Sequence, residues 1–274
     1  MTRVALLQMS AGIDPHANAM TLVDAVAEAA AGGAAMLFTP EMSGLIDRDS
    51  HRARLSVQAE ADDVVLAAVR KAAKEHKIWV HIGSLAVRTG DAAGKFANRA
   101  FVIDPDGAIV ARYDKMHLFD VDLPGGESYR ESGAYVGGKG GVAVDTGIGK
   151  IGLSVCYDLR FPALYAAYSA AGATVLAIPA AFTVPTGRAH WHVLMRARAI
   201  ENACFVIAAA QTGHHADGRD TFGHSLVVGP WGDVLIDMGS DVGVGFCELD
   251  PAQINVVRGR IPVLKHRREI GAVA

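Results

Sequence analysis

The chain has 274 residues, of which 51% are hydrophobic and 20% charged, with a formal net charge of −3. That composition supplies ample core for one large α/β unit and excludes a disordered chain. The small net charge gives no electrostatic reason to expect nucleic acid or an anionic membrane as partner, and no stretch approaches the roughly 20 apolar residues of a membrane span. The apolar run at the N-terminus is too short for a signal peptide. Three scattered cysteines, Cys156, Cys204 and Cys247, make no disulfide framework. A soluble cytoplasmic protein with reduced thiols is expected.

Arg3 to Met9 is nearly all apolar and reads as a strand covered on both faces. Ala17 to Ala31 places Met20, Val23, Ala27 and Ala30 at helical spacing and stops at Gly32-Gly33. Ala35 to Thr39 is a second buried strand that runs into Pro40-Glu41. Asp62 to His76 is amphipathic and helical, and Ile78 to Val87 is a strand. Asn98 to Ile103, the turn Asp104-Pro105-Asp106-Gly107, and Ala108 to Tyr113 spell a β-hairpin. A long glycine-rich stretch, 114–141, follows; loops of that length inside a compact domain tend to be functional.

Strand character resumes at Val142 to Thr146 and Gly152 to Cys156. Gly147, Gly149 and Gly152 satisfy G-x-G-x-x-G, but a strand follows where a dinucleotide site needs a helix, so a hairpin turn is the better reading. Helix is expected at Leu164 to Ala171, with Pro162 suited to its first turn, and again at Trp191 to Glu201. Strands are expected at Thr174 to Ile178 and Cys204 to Ala210. Phe222 to Val228 and Val234 to Asp237 form a second hairpin around Pro230-Trp231-Gly232-Asp233, before a last strand at Gly245 to Glu248 and a short helix opened by Pro251. Two halves, each ending in a hairpin, suggest a repeat. Mixed sheets whose faces need cover give a four-layer α-β-β-α sandwich, a single domain over 1–274.

Eleven histidines raise the question of metal. His190 and His192, or His214 and His215, do not put two ligands on one face with a third, and no C-x-x-C occurs, so neither metal nor cofactor is expected. Cys204 and Cys247 stand in apolar runs as core thiols.

Three polar residues stand at or just beyond the ends of apolar runs: Glu41, Lys115 and Cys156. Singly each has an ordinary reading, as a solvated carboxylate, a solvated ammonium and a space-filling thiol. Together they supply what a thiol hydrolase of amides needs. A thiol with an unperturbed pKa near ~8.5 is mostly protonated at neutral pH and wants a base or a nearby cation. Glu41 can take that proton and later serve water and the leaving amine. Lys115 can stabilise the thiolate and then the oxyanion, with help from the backbone N–H of Tyr157.

LFTPEMSG (37–44), YDKMHLFDVDLPGGESYRES (113–132) and GKIGLSVCYDLRFP (149–162) resemble the three signature blocks of the nitrilase superfamily of carbon–nitrogen hydrolases. TGRAHWHVLMRARAIENACFVIAAAQ (186–211) and FGHSLVVGPWGDVL (222–235) match as well, so the resemblance spans nearly the whole chain in order. It implies a Glu-Lys-Cys triad on Glu41, Lys115 and Cys156, the same α-β-β-α sandwich, and a homodimer or higher homo-oligomer joining into a longer sandwich. It also implies a second glutamate after the lysine, for which Glu127 and Glu131 are candidates; the E-S pair at Glu131-Ser132 favours Glu131. Tyr157, Phe182, Thr183 and Arg188 are the expected substrate contacts, Arg188 standing where the closest branch often has proline.

That branch includes omega-amidase and deaminated-glutathione amidase. The activity so implied is hydrolysis of the terminal amide of a small carboxylate-bearing, α-keto acid substrate to carboxylate plus ammonia through a cysteine thioester. An N-carbamoyl or nitrile hydrolase of the same fold is the alternative. A non-catalytic scaffold would have no need of the acid-lysine-thiol set.

Overall fold

The computed structural model describes residues 1–123, 126 and 128–271. Among them the strands in chain order are β1 (Thr2–Gln8), β2 (Met36–Phe38), β3 (Trp79–Arg88), β4 (Phe96–Ile103), β5 (Ile109–Asp114), β6 (Asp120–Asp122), β7 (Ser128–Arg130) and β8 (Val142–Thr146). They continue with β9 (Gly149–Leu153), β10 (Val175–Ala177), β11 (Phe205–Ala208), β12 (Thr212–His214), β13 (Asp220–Phe222), β14 (Leu226–Val228), β15 (Val234–Asp237) and β16 (Gly243–Leu249). The helices are α1 (Pro15–Ala31), α2 (Ser50–Ser56), α3 (Val64–His76), α4 (Pro162–Ala170), α5 (Val184–Asn202), α6 (Ala252–Arg260) and α7 (Val263–His266).

Two six-stranded sheets result, in the orders β16-β1-β2-β3-β4-β5 and β15-β14-β11-β10-β9-β8. The strands β1, β2 and β3 run parallel and then turn antiparallel through β4 and β5. The strands β9, β10 and β11 do the same before β14 and β15. The expected repeat is therefore real at the level of topology. Strand alternation divides the first sheet's side chains between two cores. Ala5, Leu7, Leu37, Val80, Ile82 and Phe101 pack with α1 and α3, whereas Val4, Leu6, Met36, Phe38, Ala100 and Val102 face the second sheet. Trp191 and Met195 of α5 and Tyr165 of α4 close the far side. The layers are helix, sheet, sheet, helix.

Differences from the sequence reading have local causes. The buried face of α1 is Ala19, Leu22, Ala25, Val26 and Ala29, with Met20 exposed. In an alanine-rich helix two adjacent stripes are both apolar, so spacing alone does not choose between them. The helix α5 begins at Val184, well before the expected Trp191. Pro185 sits in its first turn, where a missing N–H costs nothing, and Gly187 is required because a Cβ there would come within 2.2 Å of the Phe222 ring. The described part of the long stretch after Lys115 holds the antiparallel pair β6 and β7 and a 3₁₀ turn at Glu131–Gly133. The short helix α2 carries no buried residue, which is why apolar periodicity did not reveal it.

Within the inter-sheet core one polar side chain stands out. His81 of β3 is 1% exposed, its ring 5.5 Å from that of Phe38, and neither ring nitrogen has a hydrogen-bond partner among the described residues. Burial pushes its pKa down to about 3. The folded state thus keeps the ring neutral while the unfolded chain binds a proton from about pH 6.5 downward. Its contribution is present above that pH and is lost as pH falls toward 3. Replacing His81→Leu is expected to raise stability at pH 7.5 and to raise it by about 2 kcal/mol more at pH 5; urea titrations at the two pH values with equal gains would contradict this.

Candidate active site

Glu41 follows β2, Lys115 follows β5, and Cys156 opens the 3₁₀ turn Cys156–Arg160 just beyond β9. Ends of parallel strands are where α/β folds gather functional groups. What brings two sheets' ends together is a close backbone approach at Gly83 of β3. A Cβ there would lie 2.1 Å from the Thr39 carbonyl, 2.5 Å from that of Pro40 and 2.4 Å from the Pro179 ring. Only glycine lets the segment after β2 meet the segment after β10.

The carboxylate of Glu41 is 4% exposed and fully engaged. Its Oε1 accepts from Lys115 Nζ at 2.9 Å and from Asn98 Nδ2 at 2.9 Å, and its Oε2 accepts from the Ala181 N–H at 2.9 Å. Lys115 Nζ also lies 2.9 Å from Oε2 of Glu131. Glu131 is held in turn by the Phe119 N–H at 2.7 Å and by Asn98 at 3.1 Å. The structure therefore brings together Glu41, Lys115, Cys156 and Glu131. Glu127, the other candidate for the second glutamate, lies outside the described residues.

The backbone carrying these groups is constrained. Met42 and Cys156 are in the left-handed region at φ 55° and 49°, a conformation that costs a non-glycine residue roughly 1–2 kcal/mol. Each is pinned: Met42 N–H donates to Ser84 Oγ at 2.9 Å, and Cys156 N–H to the Pro179 carbonyl at 2.8 Å. Behind the cysteine, fully buried Asp158 accepts from Tyr113 Oη at 2.7 Å, from the Val155 N–H at 2.9 Å and from the His117 N–H at 3.0 Å. That web fixes the turn bearing the thiol to the strand that delivers Lys115.

The protonation states follow from burial and pairing. Burial alone would raise Glu41, but the Lys115 ammonium and hydrogen bonds from Lys115, Cys156 and Asn98 hold it below the usual carboxylate range. Burial opposes the charge on Lys115, yet the carboxylates of Glu131 and Glu41 push its pKa well above the ordinary value. Burial, reinforced by the Glu41 charge and only partly offset by Lys115, pushes the Cys156 thiol well up. The resting site is a neutral thiol grouped with an ionised carboxylate and an ammonium. A proton can pass from sulfur to Glu41 only as something else stabilises the charge left behind.

These groups floor a cavity of about 650 Å³. Tyr157, Phe182 and Thr183 line it, as the sequence reading expected, together with Phe119, Tyr135 and Arg160. Arg188 does not: it is exposed on α5 and absent from the wall. At about 100° per residue it stands some 200° around the helix from the wall residue Thr186, which turns it away. Sequence reasoning missed Arg160, whose guanidinium lies 5.6 Å from the Phe182 ring and 5.9 Å from that of Tyr157. Asn98 was missed as a site residue too, although an asparagine inside the apolar run Phe96-Ala97-Asn98-Arg99-Ala100-Phe101 was the available signal.

The family model for carbon–nitrogen hydrolases matches residues 3–258. The chain is 35% identical over 98% of its length to the deaminated glutathione amidase of Yersinia enterocolitica, 94% of which it covers. The crystal structure of the Caenorhabditis elegans NitFhit protein superposes with a TM-score of 0.90 at 37% identity, over 97% of this chain and 65% of that one. A variant of the amidase from Nesterenkonia sp. AN1, bearing the product of Michael addition of acrylamide at its active-site cysteine, superposes with a TM-score of 0.79 at 27% identity, over 96% and 98% of the two chains.

Charge balance in the cluster predicts opposite effects of two substitutions on the thiol. Glu41→Gln removes the anion that disfavours thiolate, and Lys115→Met removes the cation that favours it. The pH at which Cys156 becomes reactive toward iodoacetamide should fall in the first variant and rise in the second. Equal profiles in both variants and the parent would exclude coupling of the three groups.

Proposed function

The chain belongs to the carbon–nitrogen hydrolase family, and from that premise we propose that it is an amidase working through Cys156, with Glu41 as general base and acid, Lys115 as oxyanion partner and Glu131 holding the lysine. The observation that carries this reading is the buried ion pair of Glu41 with Lys115 at 2.9 Å, which shares the floor of one cavity with Cys156.

As the thiol proton passes to Glu41, the sulfur attacks the amide carbon. The oxyanion develops beside Lys115 Nζ and the Tyr157 N–H, donors fixed before the reaction begins. Glu41 returns its proton to the leaving nitrogen as the C–N bond breaks, leaving a thioester. Water then gives a proton to Glu41 and attacks the thioester carbonyl; the C–S bond breaks, releasing carboxylate and restoring the thiol.

The substrate carries a carboxylate. Arg160 has no carboxylate partner in ion-pair range among the described residues, only a 3.3 Å contact with His190 Nδ1, and its planar fork sits in the cavity wall over two rings. A guanidinium so placed suits bidentate capture of an α-keto acid carboxylate. The named relative supports deaminated glutathione as one substrate. From that molecule, which has only secondary amides, the leaving group is an amine; from an ω-amide it is ammonia. We read 1–274 as one hydrolase domain in a cytoplasmic homodimer. Its three cysteines are all free, and among the described residues no helix is long and apolar enough to cross a membrane.

Cys156→Ala is expected to lower turnover by roughly 10⁴-fold or more with the fold retained; substantial residual activity would end the mechanism. Assayed on α-ketoglutaramate, deaminated glutathione, an N-carbamoyl amino acid and a simple nitrile, the parent should prefer the first two. Arg160→Met should raise KM for the carboxylate-bearing amide by about 10–100-fold and leave a neutral amide unaffected. Equal losses on both would remove Arg160 from substrate recognition.

A further inference from the structure

Away from the catalytic cluster, three potential metal ligands converge from elements distant in sequence. His192 lies on α5, His224 between β13 and β14, and Asp237 at the end of β15. His192 Nε2 is 2.8 Å from Asp237 Oδ2, and His224 Nδ1 is 2.9 Å from Asp237 Oδ1. One ligand atom from each residue can be chosen so that all lie within 4.8 Å of one another. Four-coordinate zinc with ligands at about 2.0–2.1 Å needs ligand atoms a little over 3 Å apart, so small rotations complete the set.

The rings are held in advance. His224 has a left-handed backbone at φ 56°, its carbonyl accepts from Trp191 Nε1 at 2.8 Å, and its ring stacks on Phe222 at 4.4 Å between centroids. The carboxylate is oriented by the Gly239 N–H at 3.0 Å. All three side chains remain about a third exposed, so a cation has a path in. An ionised carboxylate only accepts, so each facing ring nitrogen carries a proton. To ligate a cation each imidazole must present that nitrogen without a proton, as a neutral ring with its proton on the other nitrogen.

We propose that His192, His224 and Asp237 form a binding site for a borderline divalent cation of the zinc class. Two imidazoles and one carboxylate are the donor set that such ions prefer over magnesium or calcium. The site is separate from the hydrolytic cluster but stands behind its wall. Trp191 packs edge-on against Phe182 at 4.9 Å, and Phe222 N–H donates to the Phe182 carbonyl at 2.9 Å. A bound ion would tie α5 to the β14–β15 hairpin and so stiffen the support of Phe182.

The test uses the full chain without a histidine tag, in a Cys156→Ala background so that the active-site thiol does not compete. After stripping with a chelator, calorimetric titration with Zn²⁺ should show one site of micromolar affinity or tighter, and the thermal midpoint should rise by several degrees. Co²⁺ should give visible absorption bands, and Mg²⁺ should do neither. His192→Ala, a change to the best helix former on a partly exposed face, should weaken zinc at least 10-fold and abolish both the bands and the rise. Asp237→Asn, which keeps the size of the side chain, should do the same. Saturable zinc binding unchanged in both variants, or none in the parent, would overturn the proposal.

Discussion

A buried ammonium is the constraint on which this structure turns. Lys115 is 2% exposed, and an unpaired charge at that depth would cost several kcal/mol. It is tolerated because Glu41 and Glu131 reach it from two other segments, each at 2.9 Å. Three segments must therefore arrive at one point, and Asn98 bridges the two carboxylates so that neither turns aside. Burial, reinforced by the Glu41 charge and only partly offset by Lys115, keeps Cys156 protonated at rest beside a proton acceptor.

The fold serves that convergence. The topological repeat brings ends of parallel strands from both sheets to the same edge of the sandwich, and glycine at position 83 lets their backbones touch. Beside the site, left-handed strain falls on Met42 and Cys156, each tied by a hydrogen bond from its backbone N–H. Strained backbone beside a reactive group aims the side chain at the cost of local stability. The apolar layers around the site supply the stability that this arrangement spends.

The floor and the wall of the cavity are built from different kinds of residue. The floor is buried, charged and paired. The wall carries aromatic rings and a guanidinium left without a carboxylate partner among the described residues, the usual mark of a group waiting for a ligand. Behind that wall, His192 and Asp237 link α5 to the second hairpin through a contact no local pattern announces.

Much of this was legible in the chain. Strand alternation, the Asp104–Gly107 turn and the sharp change from apolar to polar after Val155 depend on neighbours only a few residues apart, and they located both hairpins, the layer order, Glu41, Lys115 and Cys156. Other features are set by contacts across the fold. Which stripe of α1 is buried depends on the sheet it meets. Which way Arg188 points depends on where α5 begins, and that start is fixed by Phe222 packing on Gly187. That Arg160 faces the cavity, that Asn98 joins two carboxylates, and that two histidines share Asp237 are facts about residues 13 to 57 positions apart meeting through packing. Periodicity and turn chemistry are local, so the sequence determined the elements and the reactive groups at their ends; charge pairing and cavity shape are long-range, so only the tertiary structure decided what those groups face.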